Sequence, residues 1–415
     1  MVRTPRSNNN QLSGMFFERL LDVVAAAIGP EFVDQFNTLK RQREQFLQDH
    51  WTAGESEDTE IVFREVDYEY LITSLRKYGA ASDGELIDVQ IQLAEICHQF
   101  GELQKAFDLL QKVRASLDDE PSDQQGRVYL RFGLVETHRN QWQSAQRWFQ
   151  QALDVYTELE DAEGMAKAHM DLGILIAEQW DTATALSHFE KARELLQGDL
   201  EGQIGLKLQN NLVIMQAMRG ETSEAIEQFA ELLSHESASD PANRIYLMLN
   251  YGLSTKEKGD LAKAQEILTD AVKEATALPN TRLIGLNSLA LSEVLIKQGD
   301  HSAGQEHLVK AFKIFSQLHD RASLADTYRV FGILHRETGY PELAAAKFDI
   351  CLEINRESGN LLNLYEAYYE YSLLAKAEGD SALQKQHLED SLFYAKSMGA
   401  TPRIKKIKKE METQV

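Results

Sequence analysis

The sequence predicts an all-α fold, a solenoid of about eight stacked helical hairpins, on three observations. A turn mark recurs at Gly101, Asn140, Trp180, Gly220, Gly259, Gly299, Gly339 and Gly379, each 39 or 40 residues after the last. Seven residues before each mark stands Ala94, Gly133, Gly173, Val213, Gly252, Ser292, Gly332 or Ser372, and five after it Ala106, Ala145, Ala185, Ala225, Ala264, Gly304, Ala344 or Gln384. Nine residues after the mark the side chain is large: Leu110, Phe149, Phe189, Phe229, Leu268, Leu308, Phe348 or Leu388. A fixed period of this length marks a repeat array, because one hairpin cannot bury its apolar face alone.

From the N-terminus, residues 1–12 are polar and are expected to form a disordered tail, followed by a helical region over 13–85. Residues 15–28 read as a helix stopped by Gly29-Pro30, and 31–51 as a second helix with Phe32, Phe36, Leu39, Phe46 and Leu47 apolar. The acidic stretch 52–60 reads as a loop, and 61–77 as a third helix with Val62, Val66, Tyr70 and Thr73 toward one face. Ile61 lies 40 residues before Gly101, where the second helix of a degenerate earlier repeat would fall. These N-terminal helices are expected to cap the array.

The eight repeats occupy 86–397. In 242–276, Leu247, Leu249, Tyr251 and Leu253 run along a first helix. Gly259-Asp260 turns the chain, since a left-handed C-cap costs glycine nothing. Ala264, Ile267, Leu268, Ala271 and Val272 then recur at helical spacing. Small side chains permit close helix approach, and large ones fill the gaps between. Trp142 follows its turn and is expected in the core, whereas Trp180 replaces a turn glycine with no reason visible in the sequence. After the repeats, Pro402 opens a capping helix over 402–413. Ile404, Ile407 and Met411 form its apolar stripe, with Lys405, Lys406, Lys408 and Lys409 expected to face outward.

The small residue of the first helix, the turn glycine, the alanine and aromatic of the second helix and a second small residue three positions later resemble the tetratricopeptide repeat family over roughly 86–397. The ~40-residue period resembles the long variant in kinesin light chains and bacterial peptide-sensing regulators. HEAT and armadillo repeats share a similar period, but the small-residue columns favour tetratricopeptide repeats. The resemblance implies a right-handed superhelix whose first helices line a concave groove.

Carried over by register, the inward positions include Arg127, Arg131, Lys167, Asp171, Lys207, Asn210, Asn211, Asn250, Arg329, Arg336, Glu370 and Lys376. Arg127, Arg131, Lys167 and Lys207 would form a basic strip that attracts an acidic segment. Asn210-Asn211-Leu212-Val213 is similar to the Asn-Asn-Leu-Ala of kinesin light chain repeats, and Asn250 repeats the inner amide one unit later. An amide can pair with both the N–H and the C=O of an extended peptide. Tyr365 and Tyr369 share a helix face as a candidate partner patch. The clamp columns of chaperone-binding relatives read Ile91, Leu130, Met170 and Glu95, Leu134, Ile174, so chaperone-tail binding is not expected.

The formal charge of −22 disfavours nucleic-acid binding, and no apolar stretch reaches the roughly 20 residues that span a bilayer. Cys97 and Cys351 fall on core columns of distant repeats, too far apart for a disulfide, which suits a reducing cytoplasm. The sequence holds no HExxH, P-loop, GxGxxG, GxSxG or CxxC motif. The eleven histidines are scattered, and the pair His301 and His307 is six residues apart, on different helix faces. The expectation is a non-catalytic scaffold or adaptor without metal or cofactor, gripping a peptide or protein segment in its groove. The alternative is a peptide-responsive regulator whose N-terminal helices act on a target protein. Oligomeric state is left open.

Overall fold

The computed structural model describes residues 7–50, 68–69, 71–73, 83–118, 120–197, 200, 202–234, 240–278 and 281–412. Its helices are α1 (Ser7–Ile28), α2 (Pro30–His50), α3 (Asp83–Gln99), α4 (Leu103–Arg114), α5 (Asp123–His138), α6 (Trp142–Glu158), α7 (Ala162–Glu178), α8 (Thr182–Leu195), α9 (Gln203–Met218) and α10 (Thr222–Ser234). They continue as α11 (Pro241–Lys258), α12 (Leu261–Thr276), α13 (Thr281–Lys297), α14 (His301–Gln317), α15 (Arg321–Glu337), α16 (Pro341–Ser358), α17 (Leu361–Ala377), α18 (Ser381–Ser397) and α19 (Thr401–Glu412). From α3 to α18 they run as eight consecutive helix pairs. The chain divides into two compact units, Met1–Val135 and Glu136–Val415.

The 40-residue ruler is a ruler of left-handed backbone. Every turn mark has positive φ, from 59° at Asn140 and 64° at Trp180 to 95° at Gly259. At Gly259 the amide donates to the carbonyl of Lys256 and the next amide, of Asp260, to that of Thr255, which satisfies the last carbonyls of α11. The Asp260 carboxylate then accepts from the Lys263 amide at 3.0 Å and caps α12. Two residues thus stop one helix and start the next. Asp181, Asp300 and Asp380 cap α8, α14 and α18 in the same way.

Between the two helices of a pair, small and large positions interlock. A Cβ built on Gly332 would stand 2.4 Å from Phe348, one on Gly173 2.6 Å from Phe189, and one on Gly252 2.6 Å from Leu268. Phe149, Phe189, Phe229 and Phe348 are buried, as are Ala106, Ala145, Ala185, Ala225, Ala264 and Ala344. Cys97 and Cys351 are buried free thiols, as their columns imply.

In the second unit the first helices also touch one another directly: α9 with α11, α11 with α13, α13 with α15, and α15 with α17. Closer spacing of first helices than of second helices puts the first helices inside the curve. The burial pattern agrees, because every residue from 287 to 296 of α13 is buried while α12 and α14 each keep an exposed face.

In the first unit, α1 packs on α2 and α3, with Phe16 5.5 Å from the ring of Phe100. Gly29, at φ 111°, separates α1 from α2 as expected. Helix begins at Ser7, so the tail expected to be disordered over 1–12 is corrected from that residue on; leucine and phenylalanine further along α1 give its helix a buried face. Of the helix expected over 61–77, residues 68–69 and 71–73 are described and helical. The rest of it, and the loop expected over 52–60, lie outside the described residues. Trp142 is a second correction: it is half-buried, and its Nε1 donates to the Ser358 carbonyl at the end of α16, 3.3 Å away. Among the described residues, no helix is long and apolar enough to cross a membrane.

Candidate functional site

The expected basic strip is largely neutralised by its own neighbours. In the first unit Arg127 meets Asp88 at 2.7 Å and Arg131 meets Glu95 at 2.9 Å. In the second unit Lys167 pairs with Glu163 one helical turn away at 2.6 Å, and Lys207 is exposed. Asp171 and Asn211 are half-buried on α7 and α9.

The two amide rungs meet each other. Asn250 Nδ2 on α11 donates to Asn210 Oδ1 on α9 at 3.0 Å, both side chains being half-buried. An amide has two donors and an acceptor oxygen. The pair therefore still offers the second Asn250 N–H, the Asn250 oxygen and the Asn210 amide group to a guest.

Further along the inner helices lies a charge ladder that column-by-column reading misses. Lys256 of α11 reaches Glu293 of α13 at 2.9 Å, Glu293 reaches Arg329 of α15 at 3.3 Å, and Arg329 reaches Glu366 of α17 at 3.2 Å. Lys297 adds a second contact to Glu293 at 2.7 Å, and Arg336 binds Glu370 at 2.7 Å. Burial alone would push the Glu293 carboxyl up, but Lys256, Arg329 and Lys297 hold it well below the usual carboxylate range. Arg329, expected to be presented to a guest, is buried, and this corrects its assignment: four carboxylates around it hold it in the wall. Arg336 is likewise committed to Glu370 and Glu337.

The tyrosine patch is covered by the chain's own last helix. Tyr365 and Tyr369 stack with centroids 6.5 Å apart. Arg403 of α19 lies 4.9 Å from the Trp180 ring and 5.7 Å from that of Tyr365, and the Lys406 ammonium lies 4.0 Å over Tyr369. Ile407 is fully buried in a cluster with Trp180, Tyr365, Leu388 and Met398, with Ile404 and Met411 at its edge. The apolar stripe is as expected, and Lys405, Lys406, Lys408 and Lys409 are exposed, Lys406 with its ammonium over the Tyr369 ring. Trp180 now has a reason. Its ring is a platform for α19, and that contact offsets a left-handed backbone which costs a bulky residue about 1–3 kcal/mol.

Two further groupings went unforeseen. His169 of α7 and His188 of α8 bring their Nδ1 atoms to 2.9 Å, and burial pushes His169 down to about 4. Arg282 binds Asp320 at 2.9 Å beside His138, which burial and the guanidinium hold at about 4. Among the described residues, no cluster of three or more metal-ligating side chains is present.

Residues 85–158 and 124–198 match the family described as tetratricopeptide repeat. No curated protein matches the chain. Among solved structures, it is similar to a Rap protein complexed with competence and sporulation factor, at 14% identity over 98% of this chain and 100% of that one, with a TM-score of 0.58. The Rap conjugation gene regulator of plasmid pLS20, in complex with the Phr* peptide, is similar at 12% identity over 75% and 96% (TM-score 0.57). The quorum sensor NprR from B. thuringiensis, in its apo form, is similar at 13% identity over 93% and 99% (TM-score 0.52). At these identities the likeness is one of fold.

Proposed function

We propose, from the premise that this chain is a tetratricopeptide repeat protein, that it is a non-catalytic binding protein whose inner helices hold a peptide or protein segment. One observation carries the reading. Tyr365 and Tyr369 of the inner helix α17, with Trp180 of the turn after α7, already clasp a polypeptide segment, α19. The Asn210–Asn250 pair, with Asn211 beside it, supplies sequence-tolerant backbone pairing further along the inner wall. Arg127, Arg131 and Lys167 are already paired, so support for an acidic guest shrinks to the exposed Lys207 alone.

A peptide-responsive regulator is the second reading. It is favoured by the reach of the likeness: similarity to a Rap protein and to the quorum sensor NprR covers 98% and 93% of this chain, more than the repeats alone. In that reading α1 and α2 would carry the output.

The test is selection of peptides from a displayed library on the full chain. Peptides so obtained should lose about 1–3 kcal/mol of affinity for the Asn211→Ala/Asn250→Ala variant, the cost of unpaired amide contacts. They should bind the outer-face variant Glu227→Ala, at an exposed position of α10, unchanged. Equal binding to all three chains would remove the amide pair from the site.

A further inference from the structure

The wall that holds α19 meets two of its cations with aromatic rings. Trp180 and Tyr365 share one guanidinium, Arg403 lying 4.9 Å and 5.7 Å from their rings. A third ring, Tyr369, carries the Lys406 ammonium at 4.0 Å. Cations over aromatic faces are bound by the ring quadrupole, and tightly only where the geometry is this close. Burial, with the Lys297 charge, holds the Lys406 ammonium below the usual lysine range, against the opposing pull of Glu370, Glu366 and Glu257. Lys376 reaches Glu410 at 3.8 Å and fixes the far end of the helix.

The fit is also steric. A Cβ on Gly220 would stand 2.6 Å from the Pro402 ring, so the turn after α9 admits the start of α19 only because it carries glycine. Ile404 and Ile407, one and four residues after Arg403, enter the apolar cluster between the rings. Arg403, Ile404, Lys406 and Ile407 together form a compact cationic, amphipathic recognition element.

The occupant is the least self-sufficient helix of the second unit. It has 12 residues, below the length at which an isolated helix is stable in water. Lys405, Lys406, Lys408 and Lys409 are exposed. It joins α18 through Gly399 and Ala400, and a Cβ on Gly399, at φ 64°, would meet nothing within 4 Å. Its departure would uncover Leu388, Ala395 and Met398 of α18, which share its apolar cluster.

We infer that α19 is an intramolecular occupant of the groove, and that the external partner is a cationic amphipathic segment, with Arg and Lys three residues apart and an apolar residue after each, which displaces it. This rests on the groove-binding reading above and adds to it the sign of the guest and a built-in competitor. A tethered competitor acts at high effective concentration, so it weakens the apparent affinity of every guest that needs the same rings.

The test uses the full chain and the Arg403→Glu/Lys406→Glu variant, with a fluorescent peptide of residues 401–412 as probe. Amide hydrogen exchange over 401–412 first shows whether the helix has left its site in the variant. Binding of the peptide should then be on the order of tenfold tighter, or more, than to the wild-type chain. A peptide with Glu at the same two positions should bind neither. A released helix with equal peptide affinity in both chains overturns the inference and leaves the groove reading intact. A released helix with no peptide binding overturns it too, and failure of library-selected peptides on the same variant would bring down the groove reading as well. Should the variant not fold, the wild-type chain decides: saturating peptide must accelerate exchange over 401–412, and unchanged exchange overturns the inference.

Discussion

Two glycines seven residues apart separate two costs that the sequence pattern treats alike. At Gly332 a methyl group would overlap Phe348, so Gly332→Ala should destabilise by about 1–3 kcal/mol through overpacking. At Gly339 a methyl group meets nothing within 4 Å, but φ is 80°, so Gly339→Ala should cost about 1 kcal/mol from backbone strain alone. Denaturant unfolding of both variants checks the order. Glu293→Gln is the sharper residue-level prediction. It leaves half-buried Lys256 and buried Arg329 beside a neutral amide, and breaking a buried pair of this kind costs about 3–5 kcal/mol. Both glycines were legible in the sequence because each sits in a fixed column. Trp180 was not, because the group that justifies it, Arg403, lies on a helix far along the chain.

At the scale of elements, what the sequence concealed is explained by stagger. Successive first helices are not stacked level. Lys256, Glu293, Arg329 and Glu366 stand 3, 6, 10 and 13 residues before their turn marks, a drift of about one helical turn per repeat. Helix boundaries obey the 40-residue period and were readable, whereas side chains that meet across the inner wall follow a diagonal through it. The Asn210–Asn250 and Arg127–Asp88 contacts are exceptions, 40 and 39 residues apart and hence visible. The paired histidines of α7 and α8 give an element-level prediction. Burial lowers the pKa of both His169 and His188, with the nearby Lys191 acting in the same direction. The unfolded chain then binds protons near pH 6.5 that the folded chain takes up only at lower pH, so their contribution to stability falls as pH drops from about 6.5 toward 4. The His169→Gln/His188→Gln variant should show a shallower loss of melting temperature over that window than the wild-type chain. A parallel loss in the two chains would show that the pair does not titrate as its burial requires.

For the molecule as a whole, a stack of hairpins has two faces, and function depends on which of them receives a guest. The inner helices carry the amide pair, the ion ladder and the aromatic platform, while the second helices present ordinary charged surface. The most direct measurement is amide hydrogen exchange of the full chain with and without a library-selected peptide. Binding should slow exchange in 203–218, 241–258 and 361–377 and leave the outer segments 222–234, 261–276 and 341–358 as they were. Protection confined to the outer segments would contradict the account.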